Sequence, residues 1–304
     1  MKKVLILGGG GFIGGHLSHH LTGQYKIRSL VRANPNIFNN QFIEVMQGDW
    51  LDKNLLSSAL DQVDVVIHLI STTVPSTSNQ NPTFDVQTNL IGSLQLFEMM
   101  IQKNVHRIIY LSSGGAIYGH QDSNLLSETV LPKPISSYAV VKLAIENYLS
   151  IFSQQFGLLP TILRVSNPYG IRSNKIGVQG LIPTVFNQLL VNEPITLWGD
   201  GKNIRDYIYI DDLMRAIQIC IDQEHQGVFN IGSGVGQSSL DLIKLIENLT
   251  DISAQLRFEP HRPFDVDRVV LDCTKAKSIL HWEPETSINQ GLANYWSQLK
   301  ARFK

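Results

Sequence analysis

Tyr138 and Lys142 stand four residues apart in SSYAVVKLAIENYL, a stretch with helical patterning. That spacing places both side chains on one face of a helix. An ammonium beside a phenol favours the phenolate, so the pair predicts a tyrosine whose pKa is lowered toward working pH. Such a phenol can give or take the proton of a hydroxyl or carbonyl group. A YxxxK match alone is common by chance, so its meaning depends on what else the chain assembles around it.

The N-terminus supplies that context. Val4–Leu7 reads as a short buried strand, and Gly8–Gly11, Phe12, Ile13 and Gly14 follow at once. Glycines at 8, 11 and 14 have distinct uses. The first allows a sharp turn, the second a close backbone approach to a pyrophosphate, and the third tight packing of the next helix on the sheet. A helix N-terminus aimed at a phosphate is a ready anion site. This glycine turn predicts a dinucleotide site, and the cationic ring of an oxidised nicotinamide would also favour the Tyr138 phenolate.

Bulk properties narrow the class. The chain has 304 residues, 43% of them hydrophobic, and a net charge of −1. No Lys/Arg cluster offers a nucleic-acid footprint. No apolar run approaches the roughly 20 residues of a membrane span. Cys220 and Cys273 are the only cysteines, too few and too separated for a disulfide framework, which fits a reducing, cytoplasmic setting.

Strands and helices alternate through the first half. Strands are expected at Tyr25–Val31, Phe42–Gln47, Val63–Ile70, His106–Leu111 and Thr161–Val165. Helices are expected at Phe12–Leu21, Lys53–Leu60, Pro82–Lys103 and Ser136–Phe156. This predicts an α/β fold, a doubly wound parallel sheet of the Rossmann kind, with ligands at the strands' carboxyl ends. After Asn167 the elements shorten and Gly/Pro punctuation thickens. Residues 1–167 are read as a dinucleotide-binding domain, to which segments such as 206–231 return. Residues 168–304 are read as a smaller mixed α/β substrate-binding domain, with helices near Leu181–Val191, Asp211–Ile221, Leu240–Asn248 and Thr274–Leu280.

Taken together, GGGGFIG, Gly48-Asp49, Asn89 in NLIGS, SSGGAIYG, YxxxK, RVSNPYG, GDGKNIRDYIYIDD and RPFDV resemble the extended short-chain dehydrogenase/reductases that act on nucleotide sugars. The likeness covers nearly the whole chain. It implies Tyr138 as acid/base and Lys142 as its electrostatic partner and a ribose ligand. It implies Gly8, Gly11, Phe12, Ile13, Gly14, Leu69 and Asn89 around the cofactor, with Asp49 and Trp50 flanking adenine. Asn167 and Arg205 would contact the substrate diphosphate region, and Trp198 would lie near the nucleotide base. Arg262 and Asp265 would reach the diphosphate and the nucleoside ribose. The family often dimerises through two helices per subunit, here 85–103 and 138–156.

Two departures bear on function. The second strand ends Val31-Arg32 rather than in a carboxylate for the adenosine ribose, so NADP(H) is favoured and NAD(H) is the alternative. The family's catalytic hydroxyl falls at Gly114. Ser113 is the nearest substitute, Ser112 or Thr73 could contribute, and Thr73 is also expected at the substrate. Gly115 and Ala116 replace the acidic pair of sugar 4,6-dehydratases. His16 and His20 lack an evident third ligand for a metal, and His68 reads as a satisfied core residue. The main expectation is an NADPH-dependent reductase of a dTDP-, GDP- or UDP-linked 4-keto-6-deoxyhexose. The alternative is an NAD-dependent UDP-hexose 4-epimerase. A non-catalytic redox sensor is disfavoured by the Tyr–Lys pair.

Overall fold

The computed structural model describes residues 1–33, 40–171, 180–262 and 265–302. Six strands organise the first half: β1 (Lys3–Leu7), β2 (Lys26–Val31), β3 (Ile43–Gln47), β4 (Val65–His68), β5 (Arg107–Ser113) and β6 (Leu159–Val165). With Gly227–Ile231 they form a seven-stranded sheet in the order Gly227–Ile231, β6, β5, β4, β1, β2, β3. The pairs of β1 with β2 and β4, of β2 with β3, and of β4 with β5 are parallel. The chain winds outward in both directions from β1. The β1/β4 boundary is therefore the switch point at which such sheets open a ligand crevice. β1 is central and Val4–Leu7 are fully buried, as an all-apolar run demands.

The helix expected over 82–103 forms in three pieces. Pro82–Asp85 and Gly92–Gln102 are α-helical, and Val86–Ile91 between them is a π-helical segment. The polar side chains of Asp85 and Asn89 are buried there and turn toward the preceding loop. Leu96, Phe97 and Met100 from the last piece pack with Val141, Ile145 and Leu149 and with Leu5, Leu7 and Tyr110 of the sheet.

The chain divides into two compact units. One comprises Met1–Ile117, Pro134–Arg164 and Met214–Phe229; the other comprises Tyr118–Lys133, Val165–Leu213 and Asn230–Lys304. The second unit has a four-stranded sheet in which Ile204–Tyr209 pairs in parallel with Asn167–Tyr169 and Arg268–Val269 and antiparallel with Gly236–Ser238. Leu256–Glu259 pairs separately with Ile195–Trp198. The segment Tyr118–Lys133 is tied into this unit by Asn230, whose backbone N–H donates to Glu128 at 2.7 Å and whose amide donates to the Leu126 carbonyl at 2.7 Å. A C-terminal helix, Ile288–Ala301, goes beyond the elements expected from sequence.

Candidate active site

β1 runs straight into Gly8, whose φ of +92° lies in the left-handed region. A Cβ on Gly14 would stand 2.4 Å from the Gly8 carbonyl oxygen and 2.7 Å from Gly9 Cα, so the helix Phe12–His20 approaches the turn this closely only with glycine there. Its N-cap, Gly11, has no side-chain cap, which leaves first-turn N–H groups for an outside acceptor. This backbone cradle fits a pyrophosphate. The Leu69 N–H donates to the Leu7 carbonyl at 3.1 Å. Ile70, next in line, would touch a Cβ on Gly8 at 3.3 Å and also lines the narrow cleft that holds Tyr138 and Lys142. The glycine turn and the Tyr–Lys pair share that wall.

The pair sits in the first turns of the helix Ser137–Phe156, capped by Ser136. Lys142 Nζ lies 5.9 Å from the Tyr138 ring centroid and 4.7 Å from that of Tyr110, and donates to the Leu111 carbonyl at 2.8 Å. Burial pulls Lys142 down to about 8, while Glu146 and Asp85 push it up. The phenol of Tyr138 departs from expectation. Burial raises its pKa above the ordinary value, Asp85 adds to the rise, and a hydrogen bond from Ser113 opposes it. Spacing placed the ammonium on the phenol's side of the helix, and desolvation sets the direction of the phenol's shift.

The hydroxyls near Gly114 separate clearly. The Ser113 hydroxyl acts on the Tyr138 phenol, lowering its pKa against the effect of burial. Ser112 turns away and donates to Glu146, which is ion-paired with Arg164 at 2.7 Å, both side chains being buried. Thr73 donates its hydroxyl proton to Asp85 at 2.8 Å. Asn89 is spent on the polypeptide: its oxygen accepts the Thr72 N–H at 2.9 Å, and its amide donates to Thr72 Oγ1 and Asp85 Oδ1, each at 2.8 Å. The amide thus holds the loop after β4. Asp85 escaped the sequence reading. The available signal was a carboxylate four residues before Asn89, on the same helical face.

At the other end of the cradle, Asp49 is exposed and accepts the Leu51 N–H at 3.0 Å. Trp50, expected beside adenine with Asp49, has its ring on the buried side. Its indole is 7% exposed and packs in the core, 5.3 Å from the His68 ring. Arg32 is exposed and makes no hydrogen bond or ion pair with a described residue. His68 is a core residue satisfied on one side. Nε2 is 3.0 Å from Ser93 Oγ, Nδ1 has no partner, and burial drives the ring's pKa down to about 3. His20 Nε2 is 2.6 Å from the Gln218 side-chain oxygen, and His16 packs edge-on to Phe12. Among the described residues no three His, Cys, Asp or Glu side chains gather as a metal site.

The second unit holds a cleft of about 280 Å³ lined by Asn167, Trp198, Arg205, Arg262 and Asp265, together with Asn203, Tyr207 and Ser239. Five of the six residues expected at the substrate therefore line one cleft, and the sixth, Thr73, lies in the first unit, bonded to Asp85. The Arg262 guanidinium lies 5.1 Å from the Trp198 ring centroid and donates to Asp265 from Nε and Nη2 at 2.8 and 3.0 Å. Arg205 is half-buried, desolvation pushes its guanidinium below the ordinary value, and one of its nitrogens donates to the Ile204 carbonyl. Asn167 donates to the Asp206 carbonyl at 2.8 Å. Two positions of the RPFDV motif, 263 and 264, lie outside the described residues.

Residues 4–232 match the NAD dependent epimerase/dehydratase family. The chain belongs to that family. Its fold is correspondingly close to solved members. A UDP-glucose 4-epimerase of Thermotoga maritima, solved with UDP-glucose, is 33% identical and superposes with a TM-score of 0.93 over 99% of this chain and 100% of that one. The UDP-glucose 4-epimerase of Thermus thermophilus, solved with NAD, is 28% identical with a TM-score of 0.91 over 98% and 99%. A dTDP-4-dehydro-6-deoxyglucose reductase of Escherichia coli is 29% identical over 95% of each chain. Membership makes the chain an NAD(P)-dependent enzyme and confirms the resemblance drawn from its motifs. No described helix is long and apolar enough to cross a membrane.

Proposed function

We propose that the chain is an NAD-dependent 4-epimerase of UDP-hexoses. The observation that carries this reading is the full-length likeness to the Thermotoga maritima epimerase, solved with UDP-glucose, joined to the Arg- and Trp-lined cleft. The NADPH-dependent reductase, the main expectation from sequence, rested on Arg32 and on the missing hydroxyl at Gly114. The likeness to the Thermus thermophilus enzyme, solved with NAD, weighs for NAD(H), and Ser113, which acts on the Tyr138 phenol, can stand in for the hydroxyl missing at Gly114.

In this reading Tyr138 takes the proton of the C4 hydroxyl and later returns it. Lys142 sets a positive charge against the phenolate, and Ser113 donates a hydrogen bond to it. The bound dinucleotide supplies the acceptor and donor of the C4 hydride. Gly8, Gly11, Phe12, Ile13 and Gly14 hold its pyrophosphate with backbone groups, Asp49 takes the adenine end, and Leu69 belongs to the same wall. Asn89 acts through the Thr72–Thr73 loop that it anchors. In the second unit Arg205 and Arg262 neutralise the substrate diphosphate, Trp198 offers an aromatic face to the base, Asp265 accepts from the ribose, and Asn167 completes the lining. The functional protein is a homodimer, and residues 1–167 and 168–304 divide the labour between dinucleotide and nucleotide sugar.

The test uses purified protein with UDP-glucose, UDP-N-acetylglucosamine and their C4 epimers, and no added cofactor. Interconversion, with NAD released on denaturation, supports the proposal. NADPH consumption with a dTDP-4-keto-6-deoxyhexose, and no interconversion, overturns it in favour of the reductase.

A further inference from the structure

Asp85 is fully buried, and among the described residues it has no cationic partner in hydrogen-bonding contact. Its carboxylate instead collects three neutral donors from three separate segments. Thr73 Oγ1 reaches Oδ1 from the loop after β4, at 2.8 Å. Asn89 Nδ2 reaches Oδ1 from the π-helical segment, also at 2.8 Å. Ser137 Oγ reaches Oδ2 from the start of the catalytic helix, at 2.7 Å. Ser137 directly precedes Tyr138, and Asp85 lines the same narrow cleft as Tyr138 and Lys142. A buried carboxylate is costly unless its charge does something that an amide could not.

We propose that Asp85 is a positioning residue. It pins the loop, the π segment and the catalytic helix to one carboxylate, and it holds a fixed negative charge against the Tyr138–Lys142 pair. The inference rests on Tyr138 being the acid/base of the proposed epimerase. The charge opposes ionisation of the phenol and favours the ammonium, the direction in which both groups respond to it. The other ionisable groups around the pair are Tyr110 and His68 from the sheet and Glu146 from the same helix. Glu146 is neutralised by Arg164, and His68 is uncharged above its depressed pKa of about 3. Among the described residues Asp85 is thus the carboxylate near the pair whose hydrogen-bond donors are all neutral.

Asp85→Asn separates charge from geometry. The amide oxygen still accepts from Thr73 and Asn89, and the amide nitrogen donates to Ser137 once that hydroxyl rotates. Both limbs of the kcat/KM profile against pH should move to lower pH, because phenol and ammonium each lose their proton more readily. Superimposable profiles, or limbs that move up or apart, overturn the proposal. Asp85→Glu keeps the charge but misplaces it by one methylene. It should lower kcat on the order of tenfold or more with the limbs left near their wild-type pH, and it decides the matter if the Asn variant does not fold. A second readout needs no substrate. The 13Cζ resonance of Tyr138, assigned by its loss in Tyr138→Phe, should titrate at lower pH in Asp85→Asn. A moved titration in a protein that epimerises no UDP-hexose sinks the functional reading and keeps the positioning role. An unmoved one in an active epimerase does the reverse.

Discussion

Arg262 and Asp265 grip each other through two hydrogen bonds, 2.8 and 3.0 Å long, in a cleft where each was expected to serve a different part of the ligand. The pair is an i,i+3 bridge with side-chain exposures of 34% and 14%. Water reaches the guanidinium, so its worth to stability is small. Its consequence is orientation. Nε and Nη2 are spent on the carboxylate, which holds the guanidinium in the cleft lining over the Trp198 ring.

Arg262→Ala should therefore weaken UDP binding about tenfold to hundredfold, the range of a lost charge-assisted contact of roughly 1.5–3 kcal/mol. Arg262→Lys should recover only part of this, because a lysine cannot hold Asp265 and a phosphate in one planar fork. Titration calorimetry with UDP reads both variants. Unchanged affinity in Arg262→Ala would remove this residue from the nucleotide site.

The glycine turn makes a sharper contrast between neighbours. A Cβ on Gly14 meets backbone at 2.4 Å, whereas one on Gly15 meets nothing nearer than 3.9 Å. Gly14→Ala should displace the helix start and lower NAD affinity by more than about tenfold, at a stability cost of a few kcal/mol. Gly15→Ala, in the same helix, should leave affinity unchanged and be neutral or mildly stabilising. Fluorescence titration with NADH and thermal melts of the two variants check the pair.

Much of this architecture was legible in the sequence because its strands are buried on both faces. Runs such as Val4–Leu7 and Ile108–Leu111 are apolar without alternation and are cut off by glycines or polar residues. The break of the 82–103 helix was not legible. The extra residue in its π turn is fixed by where Asp85 and Asn89 find partners, which is tertiary information. The C-terminal helix hides its core positions, Leu292, Tyr295 and Leu299, among Asn, Gln and Ser. The burial of the Trp50 ring against His68 was not legible either, because a motif position does not say which way a side chain points. The spacing of Tyr138 and Lys142 carries no measure of the burial that raises the phenol's pKa.

His68 gives a stability prediction with a definite sign. Its folded pKa, about 3, lies below the unfolded value of 6.5 because burial disfavours the imidazolium. At neutral pH both states are uncharged at this site. As pH falls through 6.5 the unfolded state takes up a proton that the folded state refuses, so stability is lost down to about pH 3. The loss should be roughly 2 kcal/mol between pH 6 and pH 4.5. His68→Gln, whose amide can still reach Ser93, should be somewhat less stable at pH 7 and lose less on acidification. Urea denaturation at the two pH values measures this. Equal acid sensitivity of variant and wild type would contradict a buried neutral ring.

The outer surface of the catalytic helix bears on assembly. Val140, Tyr148 and Ile151 are 51%, 37% and 42% exposed and lie along one stripe of Ser137–Phe156, while Phe84, Val86 and Ile91 are exposed on the preceding helical segments. Large apolar side chains in such a stripe cost solubility unless something covers them. A second copy of the chain offers the same stripe and can cover it with two-fold symmetry. Tyr148→Asp with Ile151→Asp should convert a dimer to a monomer in light scattering, with the secondary structure intact by circular dichroism. The helix carrying Tyr138 would lose its outer support at the same time, so kcat should fall in the monomer while UDP affinity holds, because the Arg- and Trp-lined cleft proposed for UDP is built from other segments. A wild-type chain that is monomeric at micromolar concentration would end the homodimer proposal.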